Sequence, residues 1–170
     1  MSAGGRGAGG DRGVSGGAAT TPVLTHTADI RVLIAAPIAV GETHEGLRRI
    51  IPITGGTIHG PRLSGSVLSA GADFQVIRSD GYTTLEARYV LRLDDGALIY
   101  VVNTGVRFGP SAVMARIAAG EIVDPSEVYF RTTPRFETAA PAYQWLTRPL
   151  FLATGARYPD HVEIRVFEVG

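Results

Sequence analysis

Cysteine and lysine are both absent from the 170 residues, so all sixteen basic residues are Arg. Without Cys there is no disulfide, no thiolate nucleophile, no Cys-ligated zinc and no iron–sulfur cluster. Without Lys there is no Schiff-base amine and no phosphate-loop lysine, and a guanidinium stays protonated and is a poor nucleophile. An excess of charge is lacking too: 16 Arg against 16 Asp and Glu give a formal net charge of +0. A neutral chain has no electrostatic drive toward nucleic acid or an anionic membrane surface, so neither is an expected partner. Long apolar runs are also missing. Val32 to Val40 is broken by Pro37 and falls short of the ~20 residues that span a bilayer. With no apolar signal-peptide region, no anchor and no Cys, a cytoplasmic location is expected.

What is present has the composition of a globular protein, 45% hydrophobic and 19% charged. The first twenty residues hold 8 of the 22 Gly and, after Met1, one sizeable apolar side chain, Val14. Such a stretch buries too little surface to offset the entropy of ordering it, so residues 1–22 read as a flexible, disordered tail before a single domain over 23–170. From Leu24 the pattern is period two. Leu24, His26, Ala28, Ile30, Val32 and Ile34 share one face, and Leu85, Ala87, Tyr89, Leu91 and Leu93 alternate with Thr84, Glu86, Arg88 and Arg92. Ala97–Val102, Phe151–Ala153 and His161–Val169 complete the strand signals, with turns at Asp80-Gly81, Asp94-Asp95-Gly96 and Tyr158-Pro159-Asp160 between them. Gly55, Gly56, Gly60, Gly65 and Gly71 mark bends or bulges in a curved strand pair. Ser111–Ala119 alone has helical spacing, after Pro110 and before Gly120. The prediction is an all-β, small antiparallel barrel with one short helix closing an end or covering an edge.

Several residues could carry chemistry. Glu86 and Arg88 point the same way from their strand. Facing the lumen they would pair a general base with a group that fixes an oxygen; facing out they are an ordinary solvated ion pair. Asp73, between Gly71-Ala72 and Phe74, is either a buried carboxylate with a raised pKa or a turn residue bonding its own backbone. Arg131, among Val128, Tyr129 and Phe130, either grips a ligand oxygen or makes a salt bridge, with Glu137 the nearest candidate along the chain. Tyr143 and Trp145 share a face if their segment is extended, as pocket walls or as core. His59, in the Gly-rich region, is a candidate ligand contact. The four His show no metal-binding spacing, no serine elbow is present, and Gly55-Gly56 lacks a dinucleotide fingerprint, so neither metal nor cofactor is expected.

The order of motifs matters more than any one of them. Gly46-Leu47-Arg48-Arg49, Pro52-Ile53-Thr54-Gly55-Gly56, Gly60-Pro61, Gly65, Gly71-Ala72-Asp73, Arg78-Ser79-Asp80-Gly81, Glu86-Ala87-Arg88-Tyr89 and Asp94-Asp95-Gly96 are followed by Tyr129-Phe130-Arg131-Thr132, Phe136-Glu137-Thr138 and Tyr143-Gln144-Trp145-Leu146. From about Leu24 to Val169 the chain resembles the family called domain of unknown function 3237 (uncharacterised protein family UPF0311). The resemblance implies a small antiparallel, calycin-like barrel and little about activity. Gln144 and Thr147 depart from the Ala and Asn of the family pattern.

The functional expectation is a cofactor-independent isomerase, cyclase or lyase acting on a small carbonyl- or carboxylate-bearing molecule in the lumen. Asp73 or Glu86 would be its base, Arg88 or Arg131 its electrostatic stabiliser, and Tyr143 and Trp145 its walls. The alternatives are a non-catalytic barrel that binds a small acid, and a homodimer paired through the apolar face of Leu85 to Leu93.

Overall fold

A computed structural model describes residue 1 and residues 20–170. The expectation of a flexible tail falls mostly outside the described residues. The elements run β1 (Leu24–Ile34), β2 (Ile38–Thr43), β3 (Gly46–His59), β4 (Ser64–Val67), β5 (Ala72–Ile77), β6 (Thr83–Leu93), β7 (Leu98–Phe108), α1 (Ser111–Ala118), β8 (Tyr129–Glu137), β9 (Phe151–Arg157) and β10 (His161–Val169). Neighbours pair antiparallel in the order β1-β10-β9-β8-β7-β6-β4-β3-β2, and β1 also pairs with β3, which closes the sheet. β4 and β5 fill successive stretches between β3 and β6, while β2 lies outside as a hairpin on β3. Eight positions therefore surround the axis, and the all-β barrel expectation holds.

The glycines explain how one strand serves two neighbourhoods. β3 pairs with β2 and β5 through its first half, then with β1 and β4 through its second. The bend lies at Gly55 and Gly56, whose φ of 149° and 138° side chains rarely adopt. A Cβ on Gly56 would also sit 1.9 Å from the Arg31 carbonyl oxygen. On β1 the period-two reading needs a correction. The register shifts between His26 and Ala28, so Thr27 and Ala28 are both buried and His26 is exposed. A bulge inserts one residue and flips the parity on either side.

The apolar face of β6 points inward: Leu85, Tyr89, Leu91 and Leu93 are each at most 6% exposed. It therefore offers no surface for pairing two copies. Toward one end the barrel is packed solid by Ile58, Leu91, Ile99 and Val101, with Phe136 and Phe151 meeting edge to face at 5.0 Å. Leu146, 1% exposed, packs into that core from residues 141–147. This segment was expected to be extended, yet it winds as a 3₁₀ turn beginning at Pro141, which removes the basis for Tyr143 and Trp145 sharing a strand face. The predicted helix is α1, which buries Val113, and a further 3₁₀ turn at Pro125–Glu127 leads into β8. Among the described residues no helix is long and apolar enough to cross a membrane.

Candidate functional site

Toward the α1 end the inward face changes character. Along β7 the inward residues read Ile99, Val101, Asn103, Gly105 and Arg107; along β6 they read Leu91, Tyr89, Ala87, Leu85 and Thr83. The register sets Ala87 between Asp73 and Asn103, Leu85 between Gln75 and Gly105, and Thr83 opposite Arg107. Small residues make space at this level. Thr132 and Phe130 lean over Gly105 and Gly155, where a Cβ would lie 2.5 Å from either side chain, and Ala87 lines what remains. The result is a cavity of ≈ 40 Å³ walled by Ile51, Ile53, Leu85, Phe130 and Ile164 and by a polar group: Asp73, Gln75, Tyr89, Asn103, Arg107 and Thr132.

The polar group is linked on one side and open on the other. Arg49 Nε donates to Gln75 Oε1 at 2.8 Å, and Gln75 Nε2 donates to Asp73 Oδ2 at 2.6 Å. Asp73 Oδ1, Tyr89 OH, Asn103 Oδ1, Arg107 Nε and Thr132 Oγ1 are buried and have no hydrogen-bond partner among the described residues. All five belong to residues lining the one cavity. A buried polar atom left unpaired costs about 1–3 kcal/mol, so native folds hold few of them. Five together on one cavity make this wall the polar exception in an otherwise apolar interior.

The electrostatics are lopsided. Arg49, Arg107 and Arg157 face one buried carboxylate, Asp73. Burial pushes the Arg107 guanidinium down to about 10, Arg49 and Arg157 add like-charge repulsion, and Asp73 opposes the fall. Burial also lowers Arg49 and Arg157. All three remain cationic at neutral pH. Burial raises Asp73, an effect that outweighs the Gln75 hydrogen bond, the Arg107 charge, the hydrogen bond from the Glu86 backbone N–H and the Arg49 charge. Burial and then the Asp73 charge raise Tyr89, which stays a hydroxyl donor. A carboxylate made more basic, a fixed hydroxyl and a cation on one small apolar-walled chamber can take a proton from carbon and hold the oxygen that gains charge.

Of the residues singled out in the sequence, Asp73 alone lines this chamber. Glu86 and Arg88 pair with each other at 2.7 Å on the outer face, 45% and 51% exposed, because the apolar side of β6 takes the lumen. Arg131 lies outside, donating to the Phe130 carbonyl oxygen at 2.9 Å and lying over the Tyr129 ring. Glu137, six residues along the same outward face of β8, is about 20 Å away and out of its reach. His59 is exposed in an outer groove beside Arg131 and Arg165. Tyr143 donates to Asp95 Oδ2 at 2.8 Å, and Trp145 lies 3.6 Å beneath the Arg62 guanidinium, both by the packed end of the barrel. The sequence reading missed Gln75, Tyr89, Asn103, Arg107 and Thr132. Continuing the alternation of Ile99 and Val101 past Val102 would have put Asn103 and Arg107 inside.

Fold and site together define a closed β-barrel, solid toward one end, with a polar chamber bordered by Arg107 toward the other. The family model described as "Protein of unknown function (DUF3237)" matches residues 22–169, and the chain belongs to that family. A UPF0311 protein of Rhodopseudomonas palustris is 49% identical over 150 residues, covering 88% of this chain and 95% of its own. A crystal structure of a conserved protein of unknown function from that organism superposes with a TM-score of 0.85 at 45% identity, over 89% and 99% of the two chains. A beta-barrel like protein from Acinetobacter baumannii gives 0.79 at 37% identity, over 89% and 98%. An enzyme from Penicillium herquei shares the fold at 18% identity, with a TM-score of 0.68 over 91% and 99%.

Proposed function

We propose that the protein is an acid–base enzyme of the isomerase, cyclase or lyase type, acting with its own side chains on a small carbonyl-bearing molecule in the barrel chamber. The observation that carries this is the convergence of five buried, unpartnered polar atoms on one cavity. Asp73 is the base. Its Oδ1 takes a proton from the carbon beside the carbonyl, and the C–H electron pair moves to the carbonyl oxygen as an enolate. Tyr89 OH holds that oxygen beside the positive charge of Arg107, and where the enolate is conjugated with a second double bond, return of the proton to the far carbon of that dienolate completes an isomerisation. The Arg49–Gln75 chain positions Asp73 by occupying Oδ2 and leaving Oδ1 free. Apolar walls exclude bulk water, which strengthens each of these interactions.

Deuterium exchange tests the reading. Small ketones, oxo acids and 1,3-dicarbonyls are incubated with the protein in D₂O, and loss of the α-proton signal is followed by NMR. The expected result is exchange faster than the protein-free rate with at least one of them by wild type, and no acceleration by Asp73→Asn. Exchange that is equal in the two proteins would remove Asp73 as base. Binding without exchange leaves the second reading, a non-catalytic barrel for a small acid, which buried Arg107 with half-buried Arg49 and Arg157 beside it favours.

A further inference from the structure

A second cavity lies on the other side of Arg107. This side chain and Phe130 wall both the ≈ 40 Å³ cavity and a second one of ≈ 10 Å³, which Arg157, Val123, Ile117 and Gly155 also line. The smaller volume is about that of one oxygen-sized group. It lies beneath the segment joining β7 to β8, where Val123 is 6% exposed. Arg107 itself is 2% exposed, and its Nε has no partner among the described residues.

The charges here are not balanced from within. Asp73 is committed on one oxygen to Gln75. Asp160, the other acid acting on Arg157, is exposed and paired with His161 Nδ1 at 2.6 Å. With Arg107 buried and Arg49 and Arg157 half-buried beside it, one carboxylate leaves an excess of positive charge that a bound anion would offset. Guanidinium pairs match the two oxygens of a carboxylate in shape as well as in charge. The order along the axis is then fixed: cations under the β7–β8 segment, base and hydroxyl deeper in the barrel.

We propose that the two cavities together take a small oxo acid, its carboxylate held between Arg107 and Arg157 beneath Val123 and its carbonyl end facing Asp73 and Tyr89. The orientation of the carbonyl end rests on the acid–base reading of Asp73, whereas the carboxylate subsite does not.

The test titrates ¹⁵N-labelled protein with acetoacetate, pyruvate and the neutral methyl acetoacetate, following the arginine Nε–Hε resonances. Acetoacetate and pyruvate are expected to shift Arg107, with acetoacetate binding at least about tenfold more tightly than its ester. Arg157→Gln and Arg107→Met should each reduce the acid to the affinity of the ester. Equal binding of acid and ester, or an unchanged affinity in Arg157→Gln, overturns the subsite. Should Arg107→Met not fold, the comparison of acid with ester on wild type and the Arg157→Gln titration decide the matter. The two readings fail separately. An acid bound at the arginines with no deuterium exchange sinks the base and keeps the subsite, while exchange of acid and ester alike without a difference in affinity does the reverse.

Discussion

Tyr89→Phe should stabilise the protein. The ring is 2% exposed and packs in the core, while its hydroxyl has no partner among the described residues. Phe keeps the ring and its contacts and removes only the oxygen. A dry, unpaired hydroxyl costs about 1–3 kcal/mol, and water entering the chamber recovers part of that. The expected gain is therefore at the low end, about 1 kcal/mol, or about 2–4 °C in Tm for a chain of this size. Urea unfolding followed by the fluorescence of Trp145, the single Trp, measures it, with scanning calorimetry as a second probe. An unchanged m-value confines the effect to stability. A loss of 1 kcal/mol or more would refute the reasoning, because it would mean that the hydroxyl already has a strong partner inside the fold. In the acetoacetate titration the same variant should bind more weakly, so that a gain in stability accompanies a loss of function.

Burial raises Asp73, so ionising it costs the folded state more than the unfolded chain. Stability should fall as pH rises from the ordinary carboxylate range through the raised value, and Asp73→Asn should be more stable than wild type at neutral pH, the two converging below about pH 4. A gap in urea midpoint that does not change with pH would contradict this. Ala87→Leu should fill the chamber and abolish acetoacetate binding while leaving a cooperative unfolding transition; binding at wild-type affinity would place the site elsewhere. Leu146→Ala removes a fully buried side chain from the packed end and should cost about 2–5 kcal/mol in urea unfolding, with no change in ligand affinity. Glu86→Gln with Arg88→Met, on the solvated face, should leave both the urea midpoint and ligand binding unaltered.

The barrel was legible because its signals are local. Period-two alternation in β1, β6 and β10 and Asp-Gly turns determine strand identity and hairpins without knowledge of the neighbours. β3 was obscured by Gly55 and Gly56, which interrupt the alternation where the strand changes partners. The site was harder to read because a strand does not say which of its faces is inside. Glu86 and Arg88 are ambiguous in sequence on that account, although five apolar residues on the opposite face of the same strand favour the outward answer. Asp73 could be found because a carboxylate among small and aromatic residues is conspicuous in sequence. Arg107 and Asn103 were hidden by the point at which β7 was ended: an arginine on a core-facing register looks like the end of a strand unless the lumen is known to turn polar there. The three guanidiniums come from β3, β7 and β9, and only closure of the sheet brings them together.

A crystal structure of the protein soaked with acetoacetate is the most direct measurement of the central claim, that the polar end of the barrel is completed by a small acid. The account predicts the ligand inside the chamber, its carboxylate on Arg107 and Arg157 and its ketone within hydrogen-bonding distance of Tyr89. A chamber that holds only ordered water, at ligand concentrations that saturate the protein in solution, would contradict it.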